Sequence, residues 1–134
     1  MPNTKATGVA YLDPEFSTCY ATEELGYAAA ASGAVTQATD KSTGVTLNKS
    51  AGRITMNNAA LASNTAVSFT LSNNLISVSD TIIVNVSGGG TVGAYTVYVS
   101  SLAVGSAVLT LRNFTAGPLS EAVIVNFSIL HCLS

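Results

Sequence analysis

Charged side chains are nearly missing from this sequence. Five Lys and Arg and seven Asp and Glu among 134 residues make up 9% of the chain, against about 25% in an average soluble domain. With a formal net charge of -2, the chain lacks the clustered cations that phosphate binding needs, so nucleic acid is excluded as a main partner. Disorder is excluded on the opposite ground, because disordered chains are charged and poor in Val and Ile. No uninterrupted apolar run approaches the roughly eighteen residues of a membrane span. The start, Met-Pro-Asn-Thr-Lys-Ala, has no apolar core behind it, which speaks against a secretory signal peptide. One His and two Cys make a thin ligand set for zinc. Cys19 and Cys132 lie at opposite ends of the chain, and their ordinary state is two free thiols in a reducing cytoplasm; a disulfide or a metal site is the alternative.

What replaces the charge is Ser, Thr, Asn, Ala and Gly, in a chain that is still 48% hydrophobic. That mixture suits β-structure with small hydrogen-bonding side chains on its outer surfaces. A surface so weakly charged has little electrostatic protection against association. Burial in an oligomer or a larger assembly would resolve that.

The clearest pattern runs from Val45 to Leu71. Val45-Thr46-Leu47, Ile54-Thr55-Met56 and Val67-Ser68-Phe69-Thr70-Leu71 each place apolar residues at every second position, the period of a strand with one buried face. A first short strand is expected at residues 35–38. Residues 44–48 and 52–57 are expected to pair as a hairpin with its tip at 49–51. Further strands are expected at 65–72, 82–86, 94–100, 107–112 and 122–130, with 94–100 returning antiparallel to 82–86. About eight strands, with turn residues roughly every eight to twelve positions, predict an all-β fold. The expected architecture is an antiparallel β-sandwich or jelly-roll-like domain over residues 35–134, preceded by an extended N-terminal arm of residues 1–34.

Two faces separate on the strands. Val123, Val125, Phe127 and Ile129 share one side of the last strand, and Ile82, Val84 and Val86 one side of an earlier strand; these are core candidates. Opposite them lie Ile124, Asn126, Ser128 and Leu130, with Ile83 and Asn85. This second face is half apolar, half Asn or Ser, and uncharged. Burial between subunits is the preferred reading, which makes these six residues the candidate oligomer interface. Enclosure by a second sheet is the alternative.

Residues 1–34 differ in kind. They hold Tyr11, Tyr20 and Tyr27 and four acidic residues against the single base Lys5. Asp13-Pro14 favours a turn, and Thr22 could cap a short helical turn before Gly26. A second such turn could form within 58–64. Aromatics on a segment without a period of its own suit anchors that fill pockets on another surface. The candidates are Tyr11, Leu12, Phe16, Tyr20 and Tyr27; an arm folded back over its own domain is the alternative.

Reactive constellations are not evident. Asp13 and Glu15 flank Pro14 in a surface loop, without the concave site that acid–base work needs. His131 and Cys132 are strand neighbours that point to opposite faces, so they do not make a nucleophile pair. The run 87–91 has the glycines of a phosphate loop but neither its Gly-Lys-Ser/Thr ending nor a following helix. No acidic repeat suggests a calcium loop around Asp40 or Asp80. The glycosylation triplets at Asn48, Asn85, Asn113 and Asn126 are discounted, since two fall inside expected strands. Tyr95 and Tyr98 alternate faces, so at most one is exposed. No enzyme activity, cofactor or metal is expected.

The stretch VTQATDKSTGVTLNKSAGRITMNNAALASNTAVSFTLSN, followed by DTIIVNV, GAYTVYV and LTLRNFTAGPLSEAVIVNF, resembles a family of small tailed-bacteriophage virion proteins. These are described variously as head decoration, head-fibre or structural proteins. The opening ATGVAYLDPEF is similar to their N-terminal segments, so the resemblance spans most of the chain. It implies a β-rich, usually trimeric domain on the outer surface of a capsid, made in the host cytoplasm, with an N-terminal arm gripping the major capsid protein. The motifs are structural, and no residue role carries over. The rival expectation is the receptor- or glycan-binding tip of a fibre or tail, with exposed aromatics on loops 87–93 and 113–120.

Overall fold

The structure, a computed structural model, describes residues 15–132. A single 3-10 turn, Ala29–Ala31, leads into eight strands: β1 (Ser32–Thr36), β2 (Val45–Thr46), β3 (Ala51–Thr55), β4 (Ala66–Ser72), β5 (Thr81–Gly88), β6 (Tyr95–Ala103), β7 (Ser106–Asn113) and β8 (Ile124–Leu130). They form two four-stranded sheets, β1-β3-β8-β5 and β2-β4-β7-β6. The all-β sandwich of about eight strands is therefore the observed fold. The central pairings are antiparallel, while the edge strands β1 and β2 join β3 and β4 in parallel. A parallel pair needs a crossover between its strands, and the chain supplies it by changing sheets.

Among these strands only β6 and β7 are both consecutive in sequence and paired. Val104 and Gly105 turn that hairpin, and Gly105 stands at φ 77°, a backbone state that a residue with a Cβ adopts only under steric strain. Every other link crosses from one sheet to the other. Two expectations fail for this reason. Residues 44–48 and 52–57 are not a hairpin: β2 lies in one sheet on Leu71 and Ser72, β3 in the other between β1 and β8. Likewise β5 pairs with β8 rather than with β6, which belongs to the opposite sheet. Local alternation is the same for a hairpin and a sheet crossing, so it carries no information on which occurs. β1 also starts earlier than expected, at Ser32, which places residues 32–34 in the sheet rather than the arm. No helix forms at 22–25 or 58–64. Leu61 instead bridges to Leu119.

The core fills the space between the sheets. Val123, Val125, Phe127 and Ile129 are all buried, as their alternation predicts, and face Phe69, Leu71, Leu109 and Leu111 from the other sheet. Ile82 is buried as well, and Val84 and Val86 pack against the same cluster. Leu47 decides the crossing between β2 and β3. Its methyl groups lie 2.9 Å and 2.6 Å from where a Cβ on Gly33 and Gly52 would stand. Those two glycines are register neighbours on β1 and β3, so together they form a slot that takes the Leu47 side chain.

Gly52→Ala should lower stability by about 1–3 kcal/mol through overpacking against Leu47 and Phe127. Trimming Leu47 in the same chain should restore part of that loss, as denaturant midpoints would register. Leu109→Ala, at a fully buried position, should cost about 2–5 kcal/mol.

Candidate functional site

Two adjoining surfaces carry the sequence-predicted residues. The first is the arm. Tyr11 and Leu12 lie outside the described residues. Phe16, Tyr20 and Leu25 are 66%, 90% and 88% exposed, so the described arm is not folded back as a cover for the domain. Tyr27 differs from the others. Its hydroxyl donates to the Ile129 carbonyl, just past the ladder in which Ser128 pairs with Ala51. Lys49 Nζ donates to the Ala30 carbonyl at 3.0 Å. Tyr27 therefore ties the root of the arm to its own domain, and the free apolar side chains begin upstream of it.

The second surface is the outer face of the β1-β3-β8-β5 sheet. Pairing aligns Ile83, Ser128, Ala51 and Ser32 in one row, and Asn85, Asn126, Arg53 and Ala34 in the next. Ile124, Asn126 and Ser128 are half-buried and Asn85 is exposed, while Ile83 and Leu130 are each 59% exposed. All six candidate interface residues thus share one outward face. Enclosure by the second sheet is ruled out, because that sheet packs on the opposite side. Arg53 is the only charged residue on these four strands. Where the arm leaves the domain, Leu25, Gly26 and Tyr27 form one wall of an open groove of about 410 Å³ whose other wall is Ile83, Ser128 and Leu130.

The buried polar groups serve the loops that join the sheets. Lys41 Nζ donates to the carbonyls of Asn57 and Glu121. Burial pushes its ammonium down, and the Glu121 carboxylate partly offsets that. Glu121 in turn accepts the Thr91 N–H at 3.0 Å, the Thr91 hydroxyl at 2.7 Å and the Tyr95 hydroxyl at 2.9 Å. The Thr91 backbone N–H, chiefly, holds the Glu121 carboxyl below its ordinary value. Burial first, and then Glu121, raises the Tyr95 phenol. Asn113, one of the glycosylation triplets, is fully buried. Its Nδ2 donates to the carbonyls of Leu61, Ala62 and Gly117, and its Oδ1 accepts from Thr115.

Asp80, weighed in the sequence only against a calcium loop, holds the end of the last strand. Its Oδ2 accepts the Ser77 N–H at 2.8 Å and lies 3.2 Å from His131 Nδ1, and its Oδ1 accepts the Cys132 N–H at 3.2 Å. His131 thus faces Asp80 and not the Cys132 thiol. Both cysteines are free and exposed. A separation of 51 positions hides the Asp80–His131 pair from any local motif search.

The Ser77 N–H, foremost, lowers the Asp80 carboxyl below its ordinary value, with help from Cys132 and His131. Since the folded value is the lower one, this stabilisation is complete above the unfolded Asp value of about 3.9 and fades as pH falls through the folded value. Asp80→Asn should therefore be less stable than the parent at neutral pH and converge with it in acid. Superimposable denaturation curves at pH 7 would contradict the assignment. Compared with known protein families, with curated proteins and with solved structures, the chain matches none.

Proposed function

We propose that this chain is a non-enzymatic capsid decoration or cement protein of a tailed bacteriophage, attached as a homotrimer to the major capsid protein through its N-terminal arm. The observation that carries this reading is the arm itself. Phe16, Tyr20 and Leu25 stand exposed on a segment without a core of its own, immediately beside an outward sheet face that is almost free of charge. Exposed aromatics of this kind are the side chains that dominate protein interfaces once seated in pockets. The sheet face offers paired Asn and Ser groups among Ile and Leu, a composition suited to contact between copies. The resemblance to phage virion proteins supports the same assignment.

In this mechanism Phe16 and Tyr20, with Tyr11 and Leu12 ahead of them, enter crevices on the capsid protein. Tyr27 fixes the point from which each arm departs. Three arms on one trimer make attachment multivalent, so a modest affinity per arm becomes tight binding overall. The chemistry is association alone, made in the host cytoplasm and displayed on the outer surface of the particle.

Removing residues 1–26, which leaves Tyr27 and both sheets intact, should give a folded protein of unchanged oligomeric mass that no longer binds capsids of the phage carrying the gene. Capsid binding retained by that truncation would sink the arm mechanism. Ile83→Asp should leave the fold intact and reduce the native mass to one copy; a mass unchanged by that substitution would move the oligomer interface elsewhere.

A further inference from the structure

The outer face of the β2-β4-β7-β6 sheet holds one charged residue, Arg112, and its surroundings are organised around it. Arg112 Nη2 donates to Asn64 Oδ1 at 2.8 Å. Asn64 is itself held at φ 51° with its N–H on the Thr115 carbonyl. The guanidinium lies over the Phe114 ring, 5.0 Å from its centroid. Thr96 is the register partner of Arg112, and Tyr98 that of Thr110. Tyr98 therefore stands diagonally beside Arg112 on the same face, within reach of a long side chain. Both Phe114 and Tyr98 are exposed. Among the described residues no carboxylate pairs with the guanidinium, and its Nε is buried without a partner.

We propose that Tyr98, Arg112 and Phe114 form a binding site for a saccharide bearing a carboxylate. A guanidinium presents paired N–H donors that match a carboxylate, and this one is already oriented by Asn64 and Phe114, so little side-chain freedom remains to be lost on binding. Exposed aromatic rings offer flat apolar surface for the C–H face of a sugar ring. Hydroxyls stand among Ala66 and Val108 on the rest of the face: Ser68 and Ser100 both hydrogen-bond the buried Thr110, with Thr96 alongside. Such groups donate and accept, as sugar hydroxyls do. A single cation matches a single carboxylate; an acidic peptide or a nucleic acid presents repeated anions that call for clustered cations. This face lies opposite the one assigned to self-association, so the site is independent of how the protein is attached.

The full-length protein titrated with the methyl glycosides of N-acetylneuraminic acid and glucuronic acid, and with neutral methyl glucoside, tests this by NMR shift perturbation or calorimetry. The acidic sugars should bind at least about tenfold more tightly than the neutral one, as expected of a charge-assisted fork. Which acidic glycoside binds identifies the source. Arg112→Lys, which keeps the charge but loses the fork and the stacking, should abolish that preference, and Phe114→Ala or Tyr98→Ala should weaken binding with an unchanged thermal midpoint. Equal response to acidic and neutral sugars, no response at millimolar concentration, full binding by Arg112→Lys, or equal binding of an oligoglutamate peptide would each overturn the proposal. Should Arg112→Lys fail to fold, the acidic-to-neutral comparison on the parent chain and Tyr98→Ala still decide it.

Discussion

Packing of the inner face of β8 against the inner face of β7 is the contact on which the rest of the molecule depends. Val125, Phe127 and Ile129 on one side, with Leu109 and Leu111 on the other, are essentially withdrawn from water. Each strand is one of the two inner strands of its sheet, so the edge strands are held directly or through one neighbour by strands in this contact. The short β1 and β2 could not persist alone, since isolated strand pairs are marginal in water. They are retained because Val35 and Val45 add to the same cluster and Leu47 enters the Gly33–Gly52 slot.

That arrangement has a consequence for the loops. A chain that changes sheets at nearly every link must carry polar backbone over the ends of an apolar core, where unpaired groups are costly. Gln37, Lys41, Asn73, Asp80 and Asn113 are buried at those ends, and each spends its polar atoms on loop backbone. Outside the arm, the charged residues Asp40, Lys41, Lys49, Asp80 and Glu121 likewise hold connecting backbone. The outward sheet faces are left with one guanidinium each, Arg53 and Arg112.

Outward faces freed from folding can be used for recognition, and the two differ in character. One combines exposed Ile83 and Leu130 with an Asn85–Asn126 pair and lies beside the root of the arm. The other is lined with hydroxyls around an arginine stacked on an aromatic ring. Apolar area with neutral hydrogen-bonding groups suits a protein surface, and an oriented cation among hydroxyls suits a small polar ligand. The proposed self-association and ligand-binding faces therefore lie on opposite sides of one sandwich.

Alternation along each strand was enough to separate the faces. The buried set Val123, Val125, Phe127 and Ile129 and the outward set Ile124, Asn126 and Ser128 follow from a period of two, which is a property of the extended backbone itself. The exposure of Phe16 and Tyr20 does not follow from the sequence, which allows equally an arm laid back over the domain. Pairing does not follow, because a strand's partner is chosen by long-range burial: β2 and β3 look like a hairpin until Leu47 is seated against Gly33 and Gly52. Nor do the sites built from distant residues, where Asp80 meets His131 and Asn64 meets Arg112. Each of those pairs spans half the sandwich in sequence and a single hydrogen bond in space. A period of two thus separates the two sides of each strand from local residues alone. Which strands lie side by side, that Tyr27 hydrogen-bonds its own domain, and where the two lone arginines stand come from long-range packing, which no local pattern encodes.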